Sequence, residues 1–259
     1  MKKLFKKVMI CTMVMAMTIA SPVSTIKTAQ ATPDYGYEAQ AETRSQAASG
    51  QVTVDTTGAG SVYHTVTYNW TSFRGNHNFT LSLQLDYNLT CAYRQIPRTH
   101  TIEFYTNYIY DEYNSVLVKT IADYFRALQT QYGYSERQII DEMIHFVQCN
   151  IQYQRDIEGV GVANFEKYPI ETLYEGRGDC EDTAILLASL LRQFGYASSL
   201  IFYDTHAAVG LACAEGTPGV YYNYNGRRYY YIETTAMGWV LGLMPDSYRT
   251  KNAQILELY

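Results

Sequence analysis

The stretch Gly176-Arg177-Gly178-Asp179-Cys180-Glu181-Asp182-Thr183 is followed directly by an apolar run over residues 184–194. The two glycines let the chain turn sharply, and the apolar residues after them recur with the spacing of a buried helix. The sequence therefore places Cys180 at the beginning of a helix. At that position, free backbone N–H groups and the helix dipole favour a thiolate, and they can also donate to an oxyanion formed when the sulfur attacks a carbonyl.

Two residues further along the chain complete a set that cysteine chemistry uses. His206 precedes the small-residue segment Ala207-Ala208-Val209-Gly210, and Glu233 follows Tyr229-Tyr230-Tyr231-Ile232. We expect His206 to accept the thiol proton of Cys180 and later to return it to the leaving group, and Glu233 to fix the tautomer and orientation of the imidazole. The simpler alternatives are a core histidine and an exposed strand carboxylate.

The N-terminus has the pattern of a secretory signal peptide. Lysines at positions 2, 3, 6 and 7 precede an apolar run over residues 8–20, and Ala29-Gln30-Ala31 forms a small-x-small cleavage site. We expect residues 1–31 to be the signal peptide and residues 32–50 to be a flexible leader. The apolar run is too short to span a membrane comfortably, and Cys11 lacks a lipoprotein cleavage context. The sequence therefore predicts a secreted or extracytoplasmic protein without a lipid anchor, a transmembrane helix or any membrane association.

Composition limits the partners. The formal net charge is −5, and the absence of a basic stripe argues against a nucleic-acid partner. The 26 tyrosines are most simply half-buried strand residues, but they could also line a groove for an extended polymer. Tyr231 and Trp239 are therefore our candidates for substrate contacts. We expect a monomer.

The pattern of elements predicts an α+β fold. Residues 51–114 form a predicted β-rich extension with a hairpin, and residues 115–259 form the predicted main domain, in which helices precede an antiparallel sheet. Asn225-Gly226 is the strongest hairpin signal in the chain. The expected elements are strands over 62–70 and 79–85, an extended segment over 101–110, helices over 115–132 and 135–148, the helix from Cys180, strands over 198–203 and 207–213, and strands over 220–224 and 227–234.

Three carboxylates flank the candidate nucleophile. Asp179, Glu181 and Asp182 complement the helix dipole, although carboxylates beside a thiol also raise its pKa. Calcium bound by these three residues is a weaker alternative that would cancel this opposition. We expect no required cofactor, and no transition-metal spacing is present. For the oxyanion we expect the Cys180 backbone N–H as one donor and consider Gln148 as a second.

The cysteines left after the predicted processing are Cys91, Cys149, Cys180 and Cys213. If Cys180 must remain a thiol, the other three can form at most one disulfide. We expect four free thiols.

Together the motifs resemble the transglutaminase-like superfamily, and they are similar to its exported bacterial branch of transglutaminase-like cysteine proteases. The similarity rests on Tyr168-Pro169-Ile170-Glu171-Thr172-Leu173, Gly178-Asp179-Cys180-Glu181-Asp182-Thr183, His206-Ala207-Ala208-Val209-Gly210 and Tyr231-Ile232-Glu233-Thr234-Thr235, within about 135–245. It implies a papain-like core with the cysteine helix packed on an antiparallel sheet. Glu233 departs from the family pattern, in which aspartate is usual.

The sequence thus predicts an exported cysteine enzyme that acts on amide bonds of a peptide or protein through a thioester, with a Cys-His-Glu triad. The substrate could be associated with the cell wall. Hydrolysis and transfer to an amine differ only in the acceptor, and the resemblance favours hydrolysis. The alternative is a non-catalytic transglutaminase-like module that binds cell-wall or extracellular peptide in a tyrosine-rich groove.

Overall fold

The structure is a computed structural model that describes residues 27–32, 51–55 and 62–259. The predicted signal peptide before Lys27 and most of the predicted leader lie outside these residues. The strands are β1 (Lys27–Thr32), β2 (Gln51–Asp55), β3 (Tyr63–Thr71), β4 (Asn78–Asp86), β5 (Gln152–Tyr153), β6 (Arg177–Gly178), β7 (Ser198–Tyr203), β8 (His206–Ala212), β9 (Tyr221–Tyr224), β10 (Arg227–Ile232) and β11 (Asn252–Leu258). The helices are α1 (Tyr87–Arg94), α2 (Tyr105–Tyr110), α3 (Glu112–Tyr132), α4 (Glu136–Asn150), α5 (Asp156–Gly159), α6 (Pro169–Glu175), α7 (Cys180–Phe194) and α8 (Asp246–Arg249).

The C-terminal strands close into a barrel in the order β1-β11-β7-β8-β10-β9. The antiparallel pairing of β7 with β8 and the hairpin of β9 and β10 agree with the sequence pattern. β11 and β1 were not predicted as strands, and together they close the sheet. The predicted cleavage site after Ala31 lies inside β1, so cleavage there would remove all of this strand except Thr32.

The two faces of β8 contact different cores. Ala207, Val209 and Leu211 belong to the core beneath the helices, whereas Ala208 packs inside the barrel with Tyr229 and Tyr231. The helix α7 packs on β7 and β8 from the outside. The small side chains of Ala208 and Gly210 would predict close approach of a helix on the face they share with His206, but α7 packs on the opposite face of β8, that of Ala207, Val209 and Leu211.

Local signals explain why α7 begins at Cys180. The Asp179 side chain accepts from the backbone N–H groups of Glu181 and Asp182, and the Asp182 side chain accepts from the backbone N–H of Asp179, which forms a capping box. Gly195, with a φ of 93°, ends the helix. The cysteine is thereby fixed in the first turn of a buried helix.

The N-terminal part contains a three-stranded sheet in the order β2-β3-β4, and the β3–β4 hairpin follows the predicted alternation. The predicted extended segment over 101–110 was wrong, because it is a short 3-10 turn followed by α2. Tyr105, Tyr108 and Ile109 are buried together, and their spacing is that of one helix face. Helices and an antiparallel sheet thus form an α+β fold. None of the helices in the described ranges has both the length and the apolar composition needed to cross a bilayer.

Candidate active site

The Cys180 thiol is buried where α7 meets the barrel, and its side chain faces two groups. Its sulfur donates to Glu181 Oε2 at 2.7 Å, and the backbone N–H of Ala207 hydrogen-bonds to it. Burial raises the thiol pKa, the Glu181 carboxylate raises it further, and the Ala207 N–H offsets this only in part. Because Cys180 is the first residue of the helix, its backbone N–H has no partner within the helix.

His206 and Glu233 form a pair at the barrel end, with His206 Nε2 3.0 Å from Glu233 Oε2. Both side chains are almost completely buried. With Nε2 facing the carboxylate, Nδ1 is the ring nitrogen left for another partner. The pair joins β8 to the end of β10, as expected from the placement of the two residues in the sequence.

Glu233 is held ionised. Burial alone would raise its pKa, but the hydrogen bond and the charge of His206, together with the Thr235 donors, lower it to about 2. The remaining donors to this carboxylate are the hydroxyls of Tyr231 and Thr235 and the backbone N–H groups of Thr234 and Thr235. A carboxylate with this many donors remains charged at neutral pH and keeps a fixed orientation.

The first residues of β8 bring the two sides of the site together. Ala207, whose N–H contacts the sulfur, directly follows His206 in the chain. In the part of the chain that the structure describes, the hydrogen bonds of the thiol go to Glu181 and Ala207 and not to His206. The cysteine and the histidine–glutamate pair are thus neighbours, and the catalytic contact itself remains a prediction.

Tyr248, in α8, is a residue of the site that the sequence analysis missed. Its ring stacks on the His206 imidazole with centroids 4.8 Å apart and an interplanar angle of 17°. The Tyr203 ring packs against both rings, with its centroid 4.7 Å from that of Tyr248 and 6.3 Å from that of His206. An isolated aromatic residue near the C-terminus gives no signal in the sequence that would link it to a histidine some forty residues earlier.

A buried lysine neutralises the carboxylates beneath the helix start. Lys167 Nζ lies 2.8 Å from Asp182 Oδ2 and 3.9 Å from Asp156 Oδ1. Carboxylate oxygens of Asp156, Asp179 and Asp182 lie within 4.8 Å of one another. Burial, followed by the charges of Asp182 and Glu181, raises the pKa of Asp179 well above its usual range.

The three residues considered as calcium ligands, Asp179, Glu181 and Asp182, have different partners. Asp179 and Asp182 belong to the buried cluster, while Glu181 points to the thiol. The ammonium group of Lys167 already provides a cation to Asp182, and it also approaches Asp156. The sequence analysis missed Lys167, because nothing in the local pattern links it to a helix that begins thirteen residues later.

Two other predicted residues, Gln148 and Tyr231, have contacts different from those expected. The Gln148 amide nitrogen donates to the backbone carbonyls of Glu233 and Trp239, both at 2.8 Å, which uses both of its hydrogens and leaves none for an oxyanion. Tyr231 is fully buried and bonds to Glu233, so the expectation that it contacts substrate was wrong. Trp239 is half-buried, and its contact with substrate remains a prediction.

The similarity of this chain to known proteins is weak. No family model matches the chain, and no curated protein matches it. One solved structure, described as "a Putative Cysteine Protease from Cytophaga hutchinsonii", is similar with 16% identity and a TM-score of 0.32, over 90% of this chain and 84% of that one. At this TM-score the similarity carries no argument about the activity of the present chain.

Proposed function

We propose that the protein is an exported cysteine-dependent hydrolase or acyltransferase that acts on amide bonds of peptides or proteins through a thioester. Cys180 is the nucleophile, His206 the general base and acid, and Glu233 the residue that orients the imidazole. The observation that carries this proposal is the buried His206–Glu233 pair, 3.0 Å long, directly before the residue whose N–H contacts the Cys180 sulfur.

His206 Nδ1 takes the proton from the Cys180 sulfur, and the sulfur attacks the amide carbonyl carbon. The Cys180 backbone N–H, free at the helix start, donates to the oxygen that becomes negatively charged. The C–N bond then breaks, and the imidazolium protonates the departing amine. Water or a second amine, deprotonated by His206, attacks the thioester and releases the thiol.

Glu233 remains a carboxylate throughout this cycle. Its pKa of about 2 keeps it charged when the imidazole becomes protonated, so it stabilises the imidazolium without taking the proton. Release by water gives hydrolysis and release by an amine gives transfer. We favour hydrolysis, from the sequence resemblance.

One observation favours the alternative, a non-catalytic module that binds extracellular peptide. The Cys180 thiol is buried, its pKa is raised, and its proton points to Glu181 and not to His206. A vestigial site would keep this arrangement permanently, whereas an enzyme must release the thiol when substrate binds.

Thiol reactivity separates the two candidates. In the intact exported chain, iodoacetamide should alkylate Cys180 at least about tenfold faster than Cys91, Cys149 and Cys213, and His206→Ala should remove this difference, because proton removal by a positioned base contributes roughly 10²–10⁴ in rate. Peptide mapping by mass spectrometry gives the rate at each thiol. Equal rates at all four thiols, unchanged by His206→Ala, would support the binding module.

A further inference from the structure

Glu181 is the carboxylate that contacts the proposed nucleophile. It is half-buried, and its Oε2 accepts from the Cys180 sulfur at 2.7 Å. Among the residues that the structure describes, no lysine, arginine or histidine forms an ion pair with it, while the other carboxylates near the helix start are neutralised or hydrogen-bonded. A half-buried carboxylate without such an ion pair can accept a cation that approaches Cys180.

The cations near Glu181, among the residues that the structure describes, are paired with other carboxylates: Arg155, for example, lies 3.5 Å from Glu158. Lys167 is held by Asp182 at 2.8 Å, and Glu166 pairs with His100 at 2.8 Å. Asp156 is 6% exposed, its Oδ2 accepts from the backbone N–H of Phe165, and its Oδ1 lies 3.9 Å from Lys167 Nζ. The helix side of the proposed site therefore carries more carboxylates than cations, and Glu181 is the one that contacts the Cys180 sulfur.

We propose that Glu181 binds a cationic group of the substrate, an alkylammonium or guanidinium group, beside the amide bond under attack. This inference rests on the proposed function of Cys180. An arriving cation draws the Glu181 carboxylate away from the thiol and neutralises the charge that opposes formation of a thiolate. Binding of a cationic substrate thus also promotes activation of the nucleophile, and a substrate or reagent without a positive charge reacts more slowly, because Glu181 still opposes removal of the thiol proton by His206.

Two sources could supply the cation. It could be a basic side chain on the chain that is cleaved, close to the scissile bond. It could also be the amine acceptor in a transfer reaction, which is an alkylammonium ion before it is deprotonated. The chemistry recognised by Glu181 is the same in both cases, so the source has to be determined by experiment.

Charged thiol reagents test the inference without knowledge of the natural substrate. The cationic 2-(trimethylammonium)ethyl methanethiosulfonate and the anionic 2-sulfonatoethyl methanethiosulfonate both form a mixed disulfide with a thiolate and release methanesulfinate. We expect the ratio of the cationic to the anionic rate at Cys180 to fall about tenfold in Glu181→Gln, which is the size of one lost charge contact at a partly exposed site.

Glu215→Gln is the matched control. Glu215 is 83% exposed and pairs with Arg228 outside the proposed site, so its loss changes the net charge equally and should leave the ratio unchanged. A ratio that Glu181→Gln does not alter, with Cys180 still reacting faster than the other thiols, overturns this inference and leaves the proposed function standing. A Cys180 that reacts no faster than the other thiols with either reagent overturns both.

The source of the cation is determined with the full exported chain acting on denatured casein, with and without dansylcadaverine. Enrichment of lysine or arginine beside the cleaved bonds, lost in Glu181→Gln, assigns the cation to the cleaved chain. If Glu181→Gln reduces the incorporation of dansylcadaverine and the control Glu215→Gln does not, the cation is assigned to the acceptor. Activity that needs Ca²⁺, with no preference for basic residues or amines, overturns the proposal, because a metal ion then fills the position assigned to the substrate cation.

Discussion

The carboxylates on the two sides of the proposed site lie in opposite electrostatic environments. On the barrel side, Glu233 accepts hydrogen bonds from several donors, and its pKa is lowered to about 2. On the helix side, burial and neighbouring charges raise the pKa of Asp179. Glu181 accepts a hydrogen bond from the Cys180 thiol and disfavours its ionisation. The barrel thus supplies a charge fixed before substrate arrives, while the helix side is short of cations. The difference indicates that orientation of the imidazole is built into the fold, whereas activation of the sulfur depends on what binds.

The sharpest test of the barrel side is Glu233→Gln. The amide cannot stabilise the imidazolium, and its NH₂ group would face donors of Thr235 or the ring nitrogen of His206. We expect the rate of Cys180 alkylation to fall by about 10²-fold or more, because base catalysis is impaired. The control is Tyr231→Phe, which removes one donor to the same carboxylate and should cost about 1 kcal/mol of unfolding free energy with little change in rate. Equal rates in Glu233→Gln and wild type would remove Glu233 from the mechanism.

The helix side is tested by Lys167→Met. Lys167 and Asp182 are 3% and 0% exposed and lie 2.8 Å apart, so loss of the ammonium leaves a buried charge without a counter-ion. Removal of one partner from such a pair typically costs about 3–5 kcal/mol, and urea unfolding measures the loss. Lys119→Met, at an exposed pair with Asp123, should cost less than about 1 kcal/mol. A loss in Lys167→Met no larger than in this control would contradict the role of counter-ion.

Acid should weaken the barrel side, because the pKa of Glu233 is lowered in the folded protein. The pKa of Glu233 is about 2 in the folded protein, against an ordinary value of 4.5. A lowered carboxyl pKa stabilises the folded state above the ordinary value, and this stabilisation is lost as the pH falls from about 4.5 towards 2. The difference corresponds to about 3 kcal/mol at neutral pH. Unfolding free energies measured from pH 7 to pH 2 should therefore fall less steeply in Glu233→Gln than in wild type; parallel curves would show that Glu233 does not carry this effect.

The sequence predicted the local elements of both sides better than their surroundings. The helix start at Cys180 and the Asn225-Gly226 hairpin were predicted because each depends on residues close together in the chain. The pairing of His206 with Glu233 was expected from the roles that cysteine catalysis requires and from the resemblance. Lys167, β1 and β11 were missed, because their positions are fixed by contacts with residues far away in the sequence, and a six-residue strand such as β1 has too few apolar residues to show alternation.

The smallest expected effect concerns Tyr248, which links the two sides by covering the imidazole. Its ring lies parallel to that of His206 at 4.8 Å, a contact worth roughly 0.5–1.5 kcal/mol. Tyr248→Leu should therefore lower the rate of Cys180 alkylation about threefold to tenfold, because the imidazole ring is then held in place only by its hydrogen bond to Glu233 and can rotate more freely. Tyr248→Phe keeps the ring and should retain the wild-type rate. If both variants lose the same activity, the hydroxyl and not the stacking is responsible, and Tyr248 then belongs with the groups that contact substrate and not with those that position His206.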